Sequence, residues 1–273
     1  MGPKKENLEH YVNIALTAAD ASNEILMTHW QKCHHRKRQG IAYTSKEDLS
    51  PVTQIDLEVE KIIRKILAEN CPGHQIVGEE FGKDDGQYNN SPYTWIIDPI
   101  DGTKNYIRGL KYFATQIALM YEGEIVVGIS SAPALNETLA AFKNGGTFLN
   151  KEKIRVSKIN NLQSAFIIHG GIDYFYRIKK LSQFIRLIEH SWDAKGFGDC
   201  WSYHLLACGG IDAMLEAQTK IWDIAAVSLI VKEAGGRVTD FAGNQISFDS
   251  SSIIATNGLI HDEILTIFHS GEE

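Results

Sequence analysis

The apolar residues of this chain change period repeatedly, from helical spacing to strand alternation and back, along its whole length. Residues 8–29 bring Leu8, Tyr11, Val12, Ala15, Leu26 and their neighbours onto one helical face. Residues 56–69, DLEVEKIIRKILAE, do the same with Leu57, Val59, Ile62, Ile63, Ile66 and Leu67. Short apolar runs then predict strands at 75–77 and 93–97, followed by a series of strands between 114 and 148. Alternation in 124–132 and 137–142, with Gly123 and Asn136 between segments, predicts an antiparallel meander. The second half predicts strand 164–168, helices 175–189 and 201–208, strand 212–216 and helix 222–234. Strands near 237–239 and 252–255 and a closing helix 260–268 follow. Strands and helices interleaved in this way must bury their apolar faces against one another, which requires a layered α/β or α+β architecture.

No low-complexity tract, Pro/Ser-rich linker or internal repeat divides the chain. Residues 1–273 therefore read as a single domain with two lobes, about 1–150 and about 151–273. A formal net charge of −7 argues against nucleic acid as the main partner, because that binding is driven by Lys and Arg. Glu9, His10, Asn13 and Asp20 interrupt any apolar core of signal-peptide type, and no apolar run spans a bilayer. Cys33, Cys71, Cys200 and Cys208 lack metal-binding spacing and read as free thiols of a reducing compartment. The expectation is a cytoplasmic protein with neither membrane nor nucleic acid as partner. The basic run CHHRKRQG, residues 33–40, reads as a solvated helix end closed by Gly40.

The densest chemical signal is WIIDPIDGTKN, residues 95–105. An apolar strand delivers Asp98 at its end, and Pro99, lacking an N–H, is expected to stop the ladder there. Asp101 follows, and Gly102 and Thr103 open a helical turn. Taken singly, Asp98 is a turn former and Asp101 an N-cap. The turn is not single, however, because Gly78-Glu79-Glu80 ends another short strand and Trp222-Asp223 starts a late helix. Carboxylates brought together at neutral pH repel unless a cation lies between them. Hard oxygen donors without an accompanying His or Cys cluster suit Mg²⁺.

The ordered set Ser45-Lys46, SPVTQID, GEE, WIIDPIDGT, WDIAA and EAGG resembles the inositol monophosphatase superfamily over nearly the whole chain. The resemblance implies an α+β fold, a layered αβαβα sandwich that is usually a homodimer. It also implies a Mg²⁺-dependent hydrolase of small phosphate monoesters, with two or three ions per site. Its metal ligands carry over to Glu79, Asp98, the carbonyl of Ile100, Asp101 and Asp223. Gly102 and Thr103 would face the phosphate, with Asp101 and Asp223 also lining the substrate. Glu79, Thr103 and Asp56 would orient the attacking water, and Lys46 occupies the place of a Lys-containing loop that completes the site.

The leaving-group side should come from residues 196–226. Inositol phosphatases of the superfamily usually carry a small Gly-Ser-Ala or Gly-Thr-Ala step there. The Gly198-Asp199 step and Ser131-Ala132-Pro133-Ala134-Leu135 are instead similar to its histidinol-phosphate phosphatases. Asp199 could accept a charge-assisted hydrogen bond from the ammonium or imidazole of histidinol phosphate, or it could cap helix 201–208. Glu216 matches a polyol-binding Glu of the inositol enzymes and could equally pair with a cation. The substrates implied are histidinol phosphate first and inositol 1-phosphate second. A 3′-phosphonucleotide or sugar phosphate is a further choice, and a non-catalytic metal- or phosphate-binding protein the alternative of another class.

Overall fold

A computed structural model describes residues 3–34, 41–46, 51–83 and 91–270. The basic run ending at Gly40 therefore lies, from His35 onward, outside the described residues. In chain order the first half contains α1 (Lys5–His34), β1 (Thr44–Ser45), β2 (Pro51–Val52), α2 (Gln54–Asn70), β3 (Gln75–Gly78), β4 (Gly82–Lys83) and β5 (Tyr93–Asp101). It continues with α3 (Thr103–Arg108), β6 (Ala114–Tyr121), β7 (Glu124–Ala132), β8 (Glu137–Phe142), β9 (Gly146–Leu149) and β10 (Glu152–Ile154). The second half contains β11 (Phe166–His169), α4 (Ile172–Arg177), α5 (Leu181–His190), β12 (Asp193–Gly196) and α6 (Asp199–Ala207). It closes with β13 (Ala213–Ala217), α7 (Ile221–Glu233), β14 (Arg237–Thr239), β15 (Ser252–Thr256) and α8 (His261–His269).

Two sheets carry the architecture. One has eight strands in the order β10-β9-β8-β7-β6-β5-β3-β4, and the other five in the order β12-β11-β13-β15-β14. The expected meander is present, with β5 through β10 pairing as successive antiparallel neighbours. Among the described residues only β3 and β5 run parallel in the large sheet.

The central strands are buried on both faces, and their alternation sorts side chains between two cores. From β5 and β6, Trp95, Ile97, Ile117 and Leu119 face α1 and α2, where Leu26, Val59, Ile63 and Leu67 cover them. On the opposite face Ile96, Ala118 and Met120 meet Ile221, Ala225 and Ala226 of α7. Helix α7 then turns Ile224, Val227 and Val231 toward Ile168, Met214 and Ile253 of the second sheet. The far face of that sheet is closed by Phe175, Phe184, Leu187, Ile264 and Phe268 from α4, α5 and α8. The layer order is helix, sheet, helix, sheet, helix, which is the expected αβαβα sandwich. Among the described residues no helix is long and apolar enough to cross a membrane.

Two local expectations need correction, and one strand has no signal in the sequence. The ladder of β5 does not stop at Pro99: it shifts register between Asp98 and Asp101 and resumes with Asp101 opposite Ala114. A bulge absorbs the residue that cannot donate and leaves the strand intact beyond it. Helix 175–189 is two helices, broken where Lys179 adopts φ 59°. Strand β12, with the sequence DAKG, lacks the alternation that would announce it and pairs only along one edge with β11.

Candidate active site

The parallel pairing of β3 and β5 sets Gly78 beside Ile97, so Glu79, just past the end of β3, comes next to Asp98, which stays in β5. The Glu79 amide donates to the Ile97 carbonyl at 3.1 Å, which holds the two strand ends together. The bulge then reverses Asp98 against Asp101. Asp98 Oδ1 accepts the Ile100 amide at 2.9 Å, closing the turn. Gln116, paired in register with Asp98, donates instead to Asp101 Oδ2 at 3.0 Å. Asp98 and Asp101 are both buried, 2% and 8% exposed. Asp101 is not an N-cap: α3 starts after Gly102, and no side chain caps it.

Helix α7 brings the fourth carboxylate. Asp223 is its third residue, and Asp223 Oδ2 accepts the Lys220 amide at 2.7 Å. Burial is the first cause that pushes the Asp98 carboxyl well above the usual range, followed by Glu79, Asp101 and Asp223. Asp101 is pushed up by burial and then by Asp199, Asp223 and Glu216. Burial also raises Asp223, to about 7, with Glu79 and Asp199 adding repulsion.

Lys46 meets this negative charge from the other side. Its Nζ donates to Glu79 Oε1 and to Glu80 Oε1, both at 2.7 Å. Burial alone would lower the lysine pKa, but the two carboxylates outweigh it and push it up. Asp56 closes the capping box of α2: its Oδ2 accepts from the Thr53 amide at 2.7 Å and the Thr53 hydroxyl at 2.6 Å. Such a box is worth about 1 kcal/mol to the helix. Its other oxygen, Asp56 Oδ1, is buried without a hydrogen-bond partner. Burial raises the Asp56 carboxyl to about 6. Thr103 Oγ1 donates to the Ile100 carbonyl at 2.9 Å, so the expected hydroxyl and the expected carbonyl donor are in contact.

The arrangement fits a hard divalent cation. Its donors are carboxylate and carbonyl oxygens. A lysine ammonium already lies between two of the carboxylates, and an orphaned carboxylate oxygen is available at Asp56. Among the described residues no three acidic, imidazole or thiol side chains are grouped, as they lie, so as to hold a metal ion. The carboxylates turn to Lys46, to backbone amides and to Gln116 instead.

Asp199 and Glu216 form a second acidic pair beside the first. Asp199 is the first residue of α6, at φ 56°, and Gly198 holds the cap position. Its Oδ2 accepts from Asn105 Nδ2 at 2.7 Å and its amide donates to Glu216 Oε1 at 3.0 Å. The Asp199 side chain therefore binds across to α3 and does not cap its own helix. Glu216 Oε2 accepts from the buried Tyr203 hydroxyl at 2.7 Å. Burial, then Asp199, pushes Glu216 up to about 8, and burial raises Asp199 to about 6. The sequence gives Asn105 no role, and Tyr203 reads there as a core or rim residue. Asn105 lies in the same short segment as Asp98 and Asp101, and Tyr203 is followed by nothing that marks it from a core residue.

His169 and His204 have structural partners. His169 Nδ1 lies 2.6 Å from the Gly170 carbonyl, and its ring stands edge-on to Phe184 at 4.7 Å. His204 lies between Ser130, at 2.8 Å, and Glu137, at 3.1 Å. That arrangement mimics a nucleophile triad, but Ser130 is wholly inaccessible, and the chain of contacts ties α6 to β7 and to Glu137 of β8.

The five-layered sandwich gathers its carboxylates where strand ends meet a helix start, and solved structures share that architecture. Among solved structures, the extragenic suppressor protein suhB from Bartonella henselae superposes with a TM-score of 0.87 at 29% identity, covering 96% of this chain and 99% of that one. The histidinol-phosphatase of Mycobacterium tuberculosis is 36% identical over 263 residues, 94% of this chain and 97% of that protein. An inositol monophosphatase of Dictyostelium discoideum is 37% identical over 258 residues, 92% of each chain. The model of the inositol monophosphatase family matches residues 7–273, and the chain belongs to that family. It is accordingly a phosphoric monoester hydrolase acting on small phosphate esters.

Proposed function

We propose that this phosphatase hydrolyses histidinol phosphate, with Mg²⁺ held by Glu79, Asp98, the Ile100 carbonyl, Asp101 and Asp223. Two or three ions would occupy the site, in a cytoplasmic homodimer. Bound there, Mg²⁺ would supply charge neutralisation for the phosphoryl oxygens and make hydroxide available near neutral pH. The chain's own residues do the rest. Gly102 and Thr103 face the phosphate, and Glu79, Thr103 and Asp56 orient the attacking water. Lys46 balances the charge of Glu79 and Glu80 at the edge of the site.

The observation that carries the substrate is the position of the Asp199–Glu216 pair. The two carboxylates are joined through the Asp199 amide and sense Asp101 strongly enough to raise its pKa. A leaving group that brings an ammonium or an imidazolium relieves this repulsion, and a neutral polyol does not. Glu216, as the counterpart of a polyol-binding residue, supports inositol 1-phosphate as the second reading. A phosphonucleotide or bisphosphate would need several basic groups near the pocket, and among the described residues Lys104 is the one cation that acts on Asp199, against the carboxylates of Asp101, Glu216 and Asp223 around it.

The test is phosphate release from L-histidinol phosphate and from myo-inositol 1-phosphate, each with Mg²⁺ and with EDTA. We expect kcat/KM to favour histidinol phosphate at least about tenfold, about 1.4 kcal/mol of transition-state binding. The reverse preference would remove Asp199 as the cation-reading residue and leave the metal reading intact. No turnover of either ester with Mg²⁺ would favour a non-catalytic role.

A further inference from the structure

We propose that Glu60 is a positioning residue for Glu79: it holds the Gly78–Phe81 turn in the shape that sends the Glu79 carboxylate into the acidic cluster. The proposal rests on the reading of Glu79 as a cation ligand. Glu60 lies on α2 one helical turn after Asp56 and is wholly buried. A buried carboxyl group is costly unless its oxygens are engaged, and here both are. Oε2 accepts the Glu80 amide at 2.8 Å, and Oε1 accepts the Phe81 amide at 3.2 Å and Arg64 Nε at 2.8 Å.

Three consecutive amides of the turn are thereby fixed. The Glu79 amide is held by the Ile97 carbonyl, and the next two by the Glu60 carboxylate. With the backbone pinned on both sides, the Glu79 side chain runs toward Asp98 and Lys46. The carboxylate also sits against the strand itself. A Cβ built on Gly78 would fall 2.0 Å from Glu60 Oε1 and 2.4 Å from Glu60 Cδ, so glycine at this position is what lets the carboxylate reach the turn. Helix α2 thus presents two buried carboxylates to one site: Asp56, with an oxygen still unpartnered, and Glu60, fully engaged with the turn.

Glutamine is the informative replacement. It keeps the shape of Glu60, but its amide nitrogen must face at least one of three N–H donors, and the turn loosens without a change in volume. The measurement is calorimetric titration of Mg²⁺ into the EDTA-stripped full-length protein, comparing wild type, Glu60→Gln and Gly78→Ala. Circular dichroism checks that each is folded. Residues that orient a ligand typically cost 10- to 100-fold in metal affinity when lost, so we expect Kd for Mg²⁺ to rise about tenfold or more in both variants. A folded Glu60→Gln protein that binds Mg²⁺ within twofold of wild type, whatever its melting temperature, overturns the positioning role. If Glu60→Gln does not fold, Gly78→Ala, which displaces the same carboxylate from the strand side, decides by the same criterion. A wild-type protein that takes up no Mg²⁺ overturns the ligand reading itself and this proposal with it.

Discussion

Asn105 shows how much a single amide can fix. Its Nδ2 donates to the Tyr112 carbonyl at 2.8 Å and to Asp199 Oδ2 at 2.7 Å. Both partners are acceptors, so the amide orientation is determined by them. Through it, α3 is tied to the Asp199–Glu216 pair. Removing a donor from a carboxylate in this half-buried place costs about 1.5–3 kcal/mol where the charge must be kept. Asn105→Ala should therefore lower kcat/KM for histidinol phosphate about tenfold or more, while p-nitrophenyl phosphate, which carries no cation, changes by less than about threefold. Steady-state kinetics on the two esters check this, and equal losses on both would assign Asn105 to α3 alone. The contrast with the metal-ligand candidates explains what the sequence exposes. Glu79, Asp98, Asp101 and Asp223 sit in short motifs at element ends, where a carboxylate is conspicuous. Asn105 meets Asp199 across 94 positions, and a Glu in an amphipathic helix, as Glu60 is, reads as solvated until the fold buries it.

Among elements, α7 carries the most. It lies between the two sheets and is apolar on every side, with Ile224, Val227 and Val231 facing one sheet and Ala225, Ala226 and Ile230 the other. A helix of that kind belongs in an interior layer, which its composition announces. Its distance from the large sheet is set at Gly128 of β7, where a Cβ would fall 2.6 Å from the Ala226 carbonyl oxygen. Gly128→Ala must push α7 outward, at a cost of about 1–3 kcal/mol for overpacking. The melting temperature should drop on the order of 5 °C. Because Asp223 is the third residue of that helix, the Kd for Mg²⁺ should rise as well. Scanning calorimetry and Mg²⁺ titration test the two effects, and an unchanged melting temperature would mean that the contact relaxes freely. Elements were legible in proportion to their periodicity. The meander and α7 follow from pattern, whereas the bulge at Pro99, the break at Lys179 and the edge strand β12 depend on pairing partners and backbone conformation that local sequence does not carry.

At the scale of the whole molecule the site makes an acidic protein store repulsion in its interior. The formal net charge is −7, and Glu216 is pushed up to about 8 by burial, then by Asp199. The groups facing it are the Asp199 amide and carboxylate, the Tyr203 hydroxyl and Asp223. In the unfolded chain a glutamate titrates near 4.3. Between that value and about 8 the folded protein holds a proton that the unfolded chain has released, so stability falls as pH rises through this window. His74 and His261 act in the opposite sense, because burial lowers both to about 4. Their contribution grows with pH only until the unfolded histidine value near 6.5 is passed. The carboxyl effect therefore stands alone above it. The EDTA-stripped protein should melt at a lower temperature at pH 8 than at pH 6.5, and Glu216→Gln should flatten that slope. Mg²⁺ binds more tightly when its carboxylate ligands are ionised, so it should raise the melting temperature more at pH 8 than at pH 6.5. Thermal melts at both pH values, with and without Mg²⁺, measure all three terms. A melting temperature that rises from pH 6.5 to 8 without the cation would show that the acidic cluster is not the dominant titrating unit of the fold.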